Sequence, residues 1–77
     1  MDTNKITQKQ IEINFIENLV KERKRKGISQ TELAKKSGLT QQAISSIEKY
    51  SRKPTLPNLI KYLFGLGIDI NNLFSWI

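Results

Sequence analysis

The 77-residue chain contains no cysteine and no histidine. The first absence excludes disulfide cross-links, and the two together remove the usual zinc ligand sets. A chain near the lower size limit for one hydrophobic core must then be held by packing, helped by association with a second copy. The lack of thiols fits a reducing cytoplasm. No charged-then-apolar leader opens the chain, which points away from secretion and towards a cytoplasmic protein. Long hydrophobic runs are also missing. The most apolar stretch, residues 59–77, is interrupted by Lys61, Asp69, Asn71 and Asn72, so no bilayer span is expected. Acidic residues are a scattered minority of seven, and there is no glycine-rich phosphate loop. Without histidine, cysteine or a carboxylate pair at an evident cleft, neither catalysis nor a cofactor or metal ion is expected.

Positive charge, by contrast, is plentiful and concentrated. Thirteen basic residues give a net charge of +6, and ten of them lie within residues 21–53 with only three acids, a local +7. Such a block is the electrostatic footprint of a nucleic-acid binder. Aromatic stacking platforms interleaved with basic residues are lacking, which favours double-stranded DNA over RNA.

Inside that block the stretch SQTELAKKSGLTQQAISSIEKY, residues 29–50, carries the organising signals. Ser29 and Glu32 have capping-box spacing, each side chain reaching the other's backbone N–H, so a helix should start at Gln30. Leu33 and Ala34 supply its inner face, and Gly38 ends it in a left-handed turn. Thr40 is a suitable N-cap for a further helix from Gln41. At about 100° per residue, Ala43, Ile44 and Ile47 fall on one side of that helix and Gln41, Gln42, Ser45, Ser46 and Lys49 on the other. The outer face holds amides, hydroxyls and an amine but no carboxylate, with Glu48 at the border. A glutamine can donate to and accept from a base edge, as adenine requires in the major groove. This face is shaped for base readout.

Upstream, residues 1–13 lack helical periodicity, and the alternation of Ile11 and Ile13 with polar neighbours fits a short strand or a frayed arm. A first helix is expected from about Phe15 to Lys26, with Asn14 as N-cap, Ile16, Leu19, Val20 and Arg23 on one face, and Gly27 at its end. Ile28 should turn inward. Downstream, Thr55 caps a helix that carries Pro57 in its first turn and Leu56, Leu59, Ile60, Leu63 and Leu66 as its buried stripe, with Gly67 after it. Asp69 can cap a short last helix. Phe64, Phe74, Trp76 and Ile77 form an apolar patch that a partner would cover.

Gln30, Leu33, Ala34, Gly38, Ile44, Ile47 and Glu48, followed by Pro54, Leu59 and the run GLGIDINNLF at 65–74, resemble the DNA-binding domain of the Xre-type (lambdoid phage repressor/Cro-like) helix-turn-helix regulators. Thr40-Gln41-Gln42 is similar to the recognition-helix start of one phage repressor subgroup. The resemblance implies an all-α, compact five-helix bundle of the lambda-repressor-like type, with helices at about 15–26, 30–37, 41–49, 56–66 and 70–75, spanning residues 14–77 behind the arm at 1–13. It implies a sequence-specific transcriptional regulator, a repressor, binding a palindromic operator as a homodimer. Gln41, Gln42, Ser45, Ser46 and Lys49 would meet bases, and Ser29, Gln30, Thr40, Ser51, Arg52 and Lys53 phosphates. It further implies a structural ion pair between Arg23 and Glu48, and a dimer interface through Phe64, Phe74, Trp76 and Ile77. The same fold serves antitoxins and restriction-modification controller proteins, so a protein partner (a toxin or an anti-repressor) is the alternative. Three residues depart from the family pattern: Tyr50 stands where glycine or asparagine is usual, Leu63 where alanine is, and Phe64 where a polar residue is. A tyrosine at position 50 would strain a left-handed turn, leaving the path of residues 50–54 open.

Overall fold

Every helix among the described residues begins at a hydroxyl. Thr7, Ser29, Thr40 and Thr55 each accept, through the side-chain oxygen, the backbone N–H three residues on, at 3.1, 3.0, 3.0 and 3.3 Å. Each such bond satisfies one of the donors that a helix start leaves unpaired. In the computed structural model, which describes residues 7–69, these caps open four helices: α1 (Gln8–Arg25), α2 (Gln30–Ser37), α3 (Gln41–Lys49) and α4 (Leu56–Gly65). The described residues are all-helical, as expected. The fifth helix expected at 70–75 lies outside them, as do Phe74, Trp76 and Ile77.

α1 corrects the expectation of an arm up to residue 13. It starts two turns before Phe15, at Gln8, and Asn14 sits inside it. Thr7 supplies the cap that Asn14 was expected to give. The first turns are stitched along their surface, Gln8 donating to Glu12 and Gln10 to Asn14, both at 2.9 Å and i,i+4 spacing. The alternation of Ile11 and Ile13 reflects a helix start that buries little, not a strand; Ile11 remains 55% exposed.

The core joins all four helices through Ile16, Leu19, Leu33, Ile44, Ile47, Tyr62, Leu63 and Leu66, with Val20, Ile28, Ala34 and Leu59 packed against it. On α4 the buried stripe is rotated from the expected one. Leu59, Tyr62, Leu63 and Leu66 face in, whereas Leu56 and Ile60 are exposed. At about 100° per residue, Leu56 and Ile60 lie roughly 70° and 110° from the centre of that stripe. Burying Tyr62 completely becomes feasible because its hydroxyl finds Glu48. Leu63, the departure from alanine, is buried.

Close approach of α2 and α4 depends on Gly65. A Cβ there would stand 2.7 Å from Leu33 Cδ1, 2.9 Å from Ser37 Cβ and 3.2 Å from Ser37 Cα, inside contact distance. The C-terminal ends of α1 and α4 are joined as well, since Lys26 Nζ donates to the Leu66 carbonyl at 2.5 Å. That contact occupies an orphan carbonyl of α4 and places a cation at the negative end of the helix.

The helix-turn-helix unit is α2, the turn at Gly38 and α3. Gly38 takes φ 78°, ψ 10°, a left-handed conformation that costs a residue with Cβ about 1–2 kcal/mol. Ser37, buried in the turn, donates its hydroxyl to the Ala34 carbonyl at 3.3 Å and accepts from the Leu39 N–H at 3.1 Å. The capping box at the start of α2 is only half made. The Glu32 N–H reaches Ser29, but the Glu32 carboxylate points along the helix to Lys36, 3.8 Å away.

Candidate nucleic-acid interface

The orientation of α3 is set from behind by one carboxylate. Glu48 accepts from Arg23 Nε at 2.7 Å, Arg23 Nη2 at 3.0 Å, Gln30 Nε2 at 2.9 Å and the Tyr62 hydroxyl at 2.6 Å. Arg23 spends its remaining reach on the Ile28 carbonyl at 2.8 Å. The two charged side chains are only 9% and 7% exposed. Burial alone would push the Glu48 carboxyl up, but the bonds from Arg23, Tyr62 and Gln30 together outweigh it and hold the group below the ordinary carboxylate range. Tyr62 is driven above the ordinary phenol range, by burial first and then by the adjacent carboxylate. The Arg23 guanidinium is held more firmly protonated, chiefly by its bond to Glu48. Arg23 from α1, Gln30 from α2 and Tyr62 from α4 thus converge on α3.

In front, α3 exposes what a duplex could read. Ile44 and Ile47 are buried, and Gln41, Gln42 and Lys49 are exposed, with Ser45 and Ser46 half-buried on the flank. Gln41 is not free to swing, because Thr31 of α2 donates its hydroxyl to Gln41 Oε1 at 3.2 Å. The bond leaves both amide hydrogens of Gln41 directed away from Thr31. Ser46 faces the following loop, its hydroxyl 3.1 Å from that of Ser51, which also donates to the Ser46 carbonyl at 3.3 Å. Thr40 and Ser29 use their oxygens as caps and keep a hydroxyl hydrogen to give.

Around this face, the residues expected at phosphates divide by how committed they are. Arg52 is exposed and has no ion-pair partner among the described residues. Lys53 lies 3.6 Å from the Glu12 carboxylate. The Gln30 amide is turned inward to Glu48, so that side chain, expected at a phosphate, does not point outward, and the N-terminus of α2 presents the backbone N–H groups of Gln30 and Thr31. Phe64 is 71% exposed on the far side of α4.

Residues 50–53 answer the question left by Tyr50. It ends α3 in the left-handed conformation, φ 52°, ψ 38°, and is the one residue other than glycine with positive φ among the described residues. The helix therefore stops as it would at glycine, and the side chain is used elsewhere. Its ring packs against the core, and its hydroxyl donates to Glu12 on the N-terminal turns of α1. That bond, ahead of those from Gln8 and Lys53, holds Glu12 below the ordinary carboxylate range and pushes the Tyr50 phenol up.

The structure thus brings together Arg23 and Glu48, and it gathers Gln41, Gln42, Ser45, Ser46 and Lys49 on one helix face beside Ser51, Arg52 and Lys53. Sequence reasoning missed Tyr62, Thr31 and Glu12. Tyr62 was detectable in principle, since it stands three after Leu59 and four before Leu66, on the stripe that α4 does bury. Thr31 and Glu12 carry no such signal, because each acts through a partner ten or more positions away. Among the described residues no helix is long and apolar enough to cross a membrane.

The sequence profile of the helix-turn-helix family matches residues 19–73. An uncharacterized HTH-type transcriptional regulator of Sinorhizobium fredii is 37% identical over 52 residues, 68% of either chain. One of Haemophilus influenzae is 37% identical over 62 residues, covering 80% of this chain and 63% of the relative. Among solved structures, two single-site tyrosine mutants of the restriction-modification controller protein C.Esp1396I superpose with TM-scores of 0.68 and 0.67. They are 35% and 34% identical to this chain, and each match covers 84% of it and 82% or 80% of theirs. A capped pair of helices around Gly38, a second helix whose outer face carries amides, hydroxyls and an amine, and these likenesses agree: the chain belongs to the Xre-type (lambdoid phage repressor/Cro-like) family of helix-turn-helix DNA-binding transcriptional regulators.

Proposed function

We propose that the protein is a repressor that reads a palindromic operator as a homodimer, with α3 in the major groove. One observation carries the reading: the outward face of α3 presents Gln41, Gln42 and Lys49 with no carboxylate, on a helix whose back is fixed by four hydrogen bonds to Glu48. Gln41 and Gln42 read base edges, Ser45, Ser46 and Lys49 meet bases or the adjoining backbone, and Ser29, Thr40, Ser51, Arg52 and Lys53 meet phosphates. The exposed Phe64 supports a second copy at the α4 side. Two recognition helices one DNA turn apart would then face two half-sites.

Binding-site selection from random duplexes at near-physiological salt tests this, run with Gln41→Ala/Gln42→Ala and with sedimentation of the free protein. A palindrome recovered by the wild type and lost by the double mutant is expected, with each glutamine worth about 1–3 kcal/mol at its base pair. Salt-sensitive binding without sequence preference, or a monomer on the selected site, would sink the reading. A second reading, control of a restriction-modification system, is supported by the likeness to C.Esp1396I along 82% of that protein.

A further inference from the structure

We propose that Tyr50 and Glu12 form a clamp by which the N-terminal turns of α1 position the loop carrying Arg52 and Lys53, so that two residues outside the DNA-facing surface set the ratio of specific to non-specific binding. The proposal rests on the DNA-binding reading above and concerns how its phosphate contacts are aimed.

Several independent features meet at this point. α3 ends on a left-handed tyrosine, at a position where the conformation alone would be best served by glycine. A side chain there carries a steric cost that glycine would avoid, and it brings a ring and a hydroxyl. Both are engaged, the ring at the core edge and the hydroxyl on Glu12. Glu12 is itself held from the other side by Gln8 Nε2 at 2.9 Å, and it stands 3.6 Å from Lys53 Nζ. It lies in a helix because α1 begins at Gln8, capped by Thr7, about two turns before Phe15. One carboxylate therefore anchors the start of the loop through Tyr50 and restrains its end through Lys53. Ser51 is tied separately to Ser46, so Arg52 projects from a segment fixed on both sides.

This arrangement has two separable consequences. Anchoring aims Arg52 at one phosphate relative to the base-reading face, which matters only when α3 is seated on its own site. Pairing with Glu12 withholds part of the Lys53 charge, which weakens attraction to any duplex. The first raises the ratio of specific to non-specific affinity; the second lowers both affinities alike and leaves the ratio to the clamp.

Tyr50→Phe keeps the ring and removes the hydroxyl, whereas Glu12→Gln keeps an acceptor for that hydroxyl and removes the charge. In Tyr50→Phe we expect specific affinity to fall about three- to tenfold, the worth of one hydrogen bond, with non-specific affinity and helicity unchanged. In Glu12→Gln, which frees Lys53 while keeping the acceptor for Tyr50, we expect specific and non-specific affinity to rise alike and the salt dependence to steepen by about one phosphate contact. Backbone 15N relaxation of the free proteins should show Ser51, Arg52 and Lys53 losing order in Tyr50→Phe and not in Glu12→Gln. Unchanged order in Tyr50→Phe, or an equal loss of specific and non-specific binding, overturns the clamp. Gln41→Ala/Gln42→Ala serves as the control. If the wild type shows no sequence preference for that mutant to lose, the operator reading fails, while relaxation still decides the clamp.

Discussion

Removing the charges behind α3 one at a time and then together gives opposite effects that can be measured. Glu48→Leu leaves the Arg23 guanidinium, 9% exposed, with only the Ile28 carbonyl, and strips the Tyr62 hydroxyl and Gln30 amide of their acceptor. Breaking a buried pair from one side costs about 3–5 kcal/mol. A chain of this length has roughly 4–12 kcal/mol to lose, so this variant should be close to unfolding at room temperature. Arg23→Met should be milder, because Gln30 and Tyr62 still serve the carboxylate, which can also take up a proton. The double variant removes both charges and leaves three neutral polar groups, the Tyr62 hydroxyl, the Gln30 amide and the Ile28 carbonyl, without those partners, at about 1 kcal/mol each where water or a neighbour can take over. It should therefore be at least about 2 kcal/mol more stable than the sum of the singles predicts, well outside the additivity of independent sites. Urea titrations with unchanged m-values at pH 7 and pH 4 would measure the coupling. The sign of its pH dependence follows from the lowered pKa of Glu48. Its contribution is present above the ordinary value of 4.5 and is lost as pH falls through the folded-state value, so the coupling shrinks in acid. Additive losses at pH 7, or a coupling that grows on acidification, would refute the reasoning.

Three further outcomes are expected. Gly65→Ala should destabilise by about 1–3 kcal/mol, because the overlap with Ser37 Cβ and Cα outweighs the roughly 1 kcal/mol gained in helix propensity; a raised melting temperature would show that α2 yields instead. Thr31→Val should cost about two- to tenfold in affinity at the base pair opposite Gln41 and leave non-specific affinity unchanged, read by competition between single-base operator variants. Both tyrosines have pKa values raised above 10.0, Tyr62 through burial and Glu48, Tyr50 through Glu12, so the stability they lend is full below pH 10 and lost above it. Tyrosinate absorbance should accordingly appear together with unfolding; half the signal titrating near pH 10 with helicity intact would contradict the two hydrogen bonds.

Much of this fold can be read from residue order because the signals are local. Ser29, Gly38 and Thr40 fix the helix-turn-helix boundaries within a few positions of themselves, and α3 divides cleanly because its apolar residues form a single stripe. α4 does not divide so cleanly. With Leu56, Leu59, Ile60, Leu63, Phe64 and Leu66 on ten or so positions, several stripes are apolar, and the one chosen is the one that lets Tyr62 reach Glu48. The start of α1 is hidden for a related reason. Its first turns bury little, so no apolar period marks them, and Glu12 acquires meaning only beside Tyr50, 38 positions on. The face expected at the bases is legible, but Thr31 behind Gln41 and the inward turn of the Gln30 amide depend on packing angles between helices.

The carboxylate of Glu48 also has a mechanical meaning. It lies in the last turn of α3, whereas Gln41 lies in the first, about 10 Å away along the axis. α3 is thus a lever pivoted at one end, and a tilt of 10° about that pivot would carry the reading end sideways by nearly 2 Å, enough to lose a base contact. Thr31 acts as a second pin, at the tip of the lever. A rod fixed at pivot and tip has little freedom left to surrender on meeting a duplex, so association should spend its free energy on contacts and little on ordering the reader.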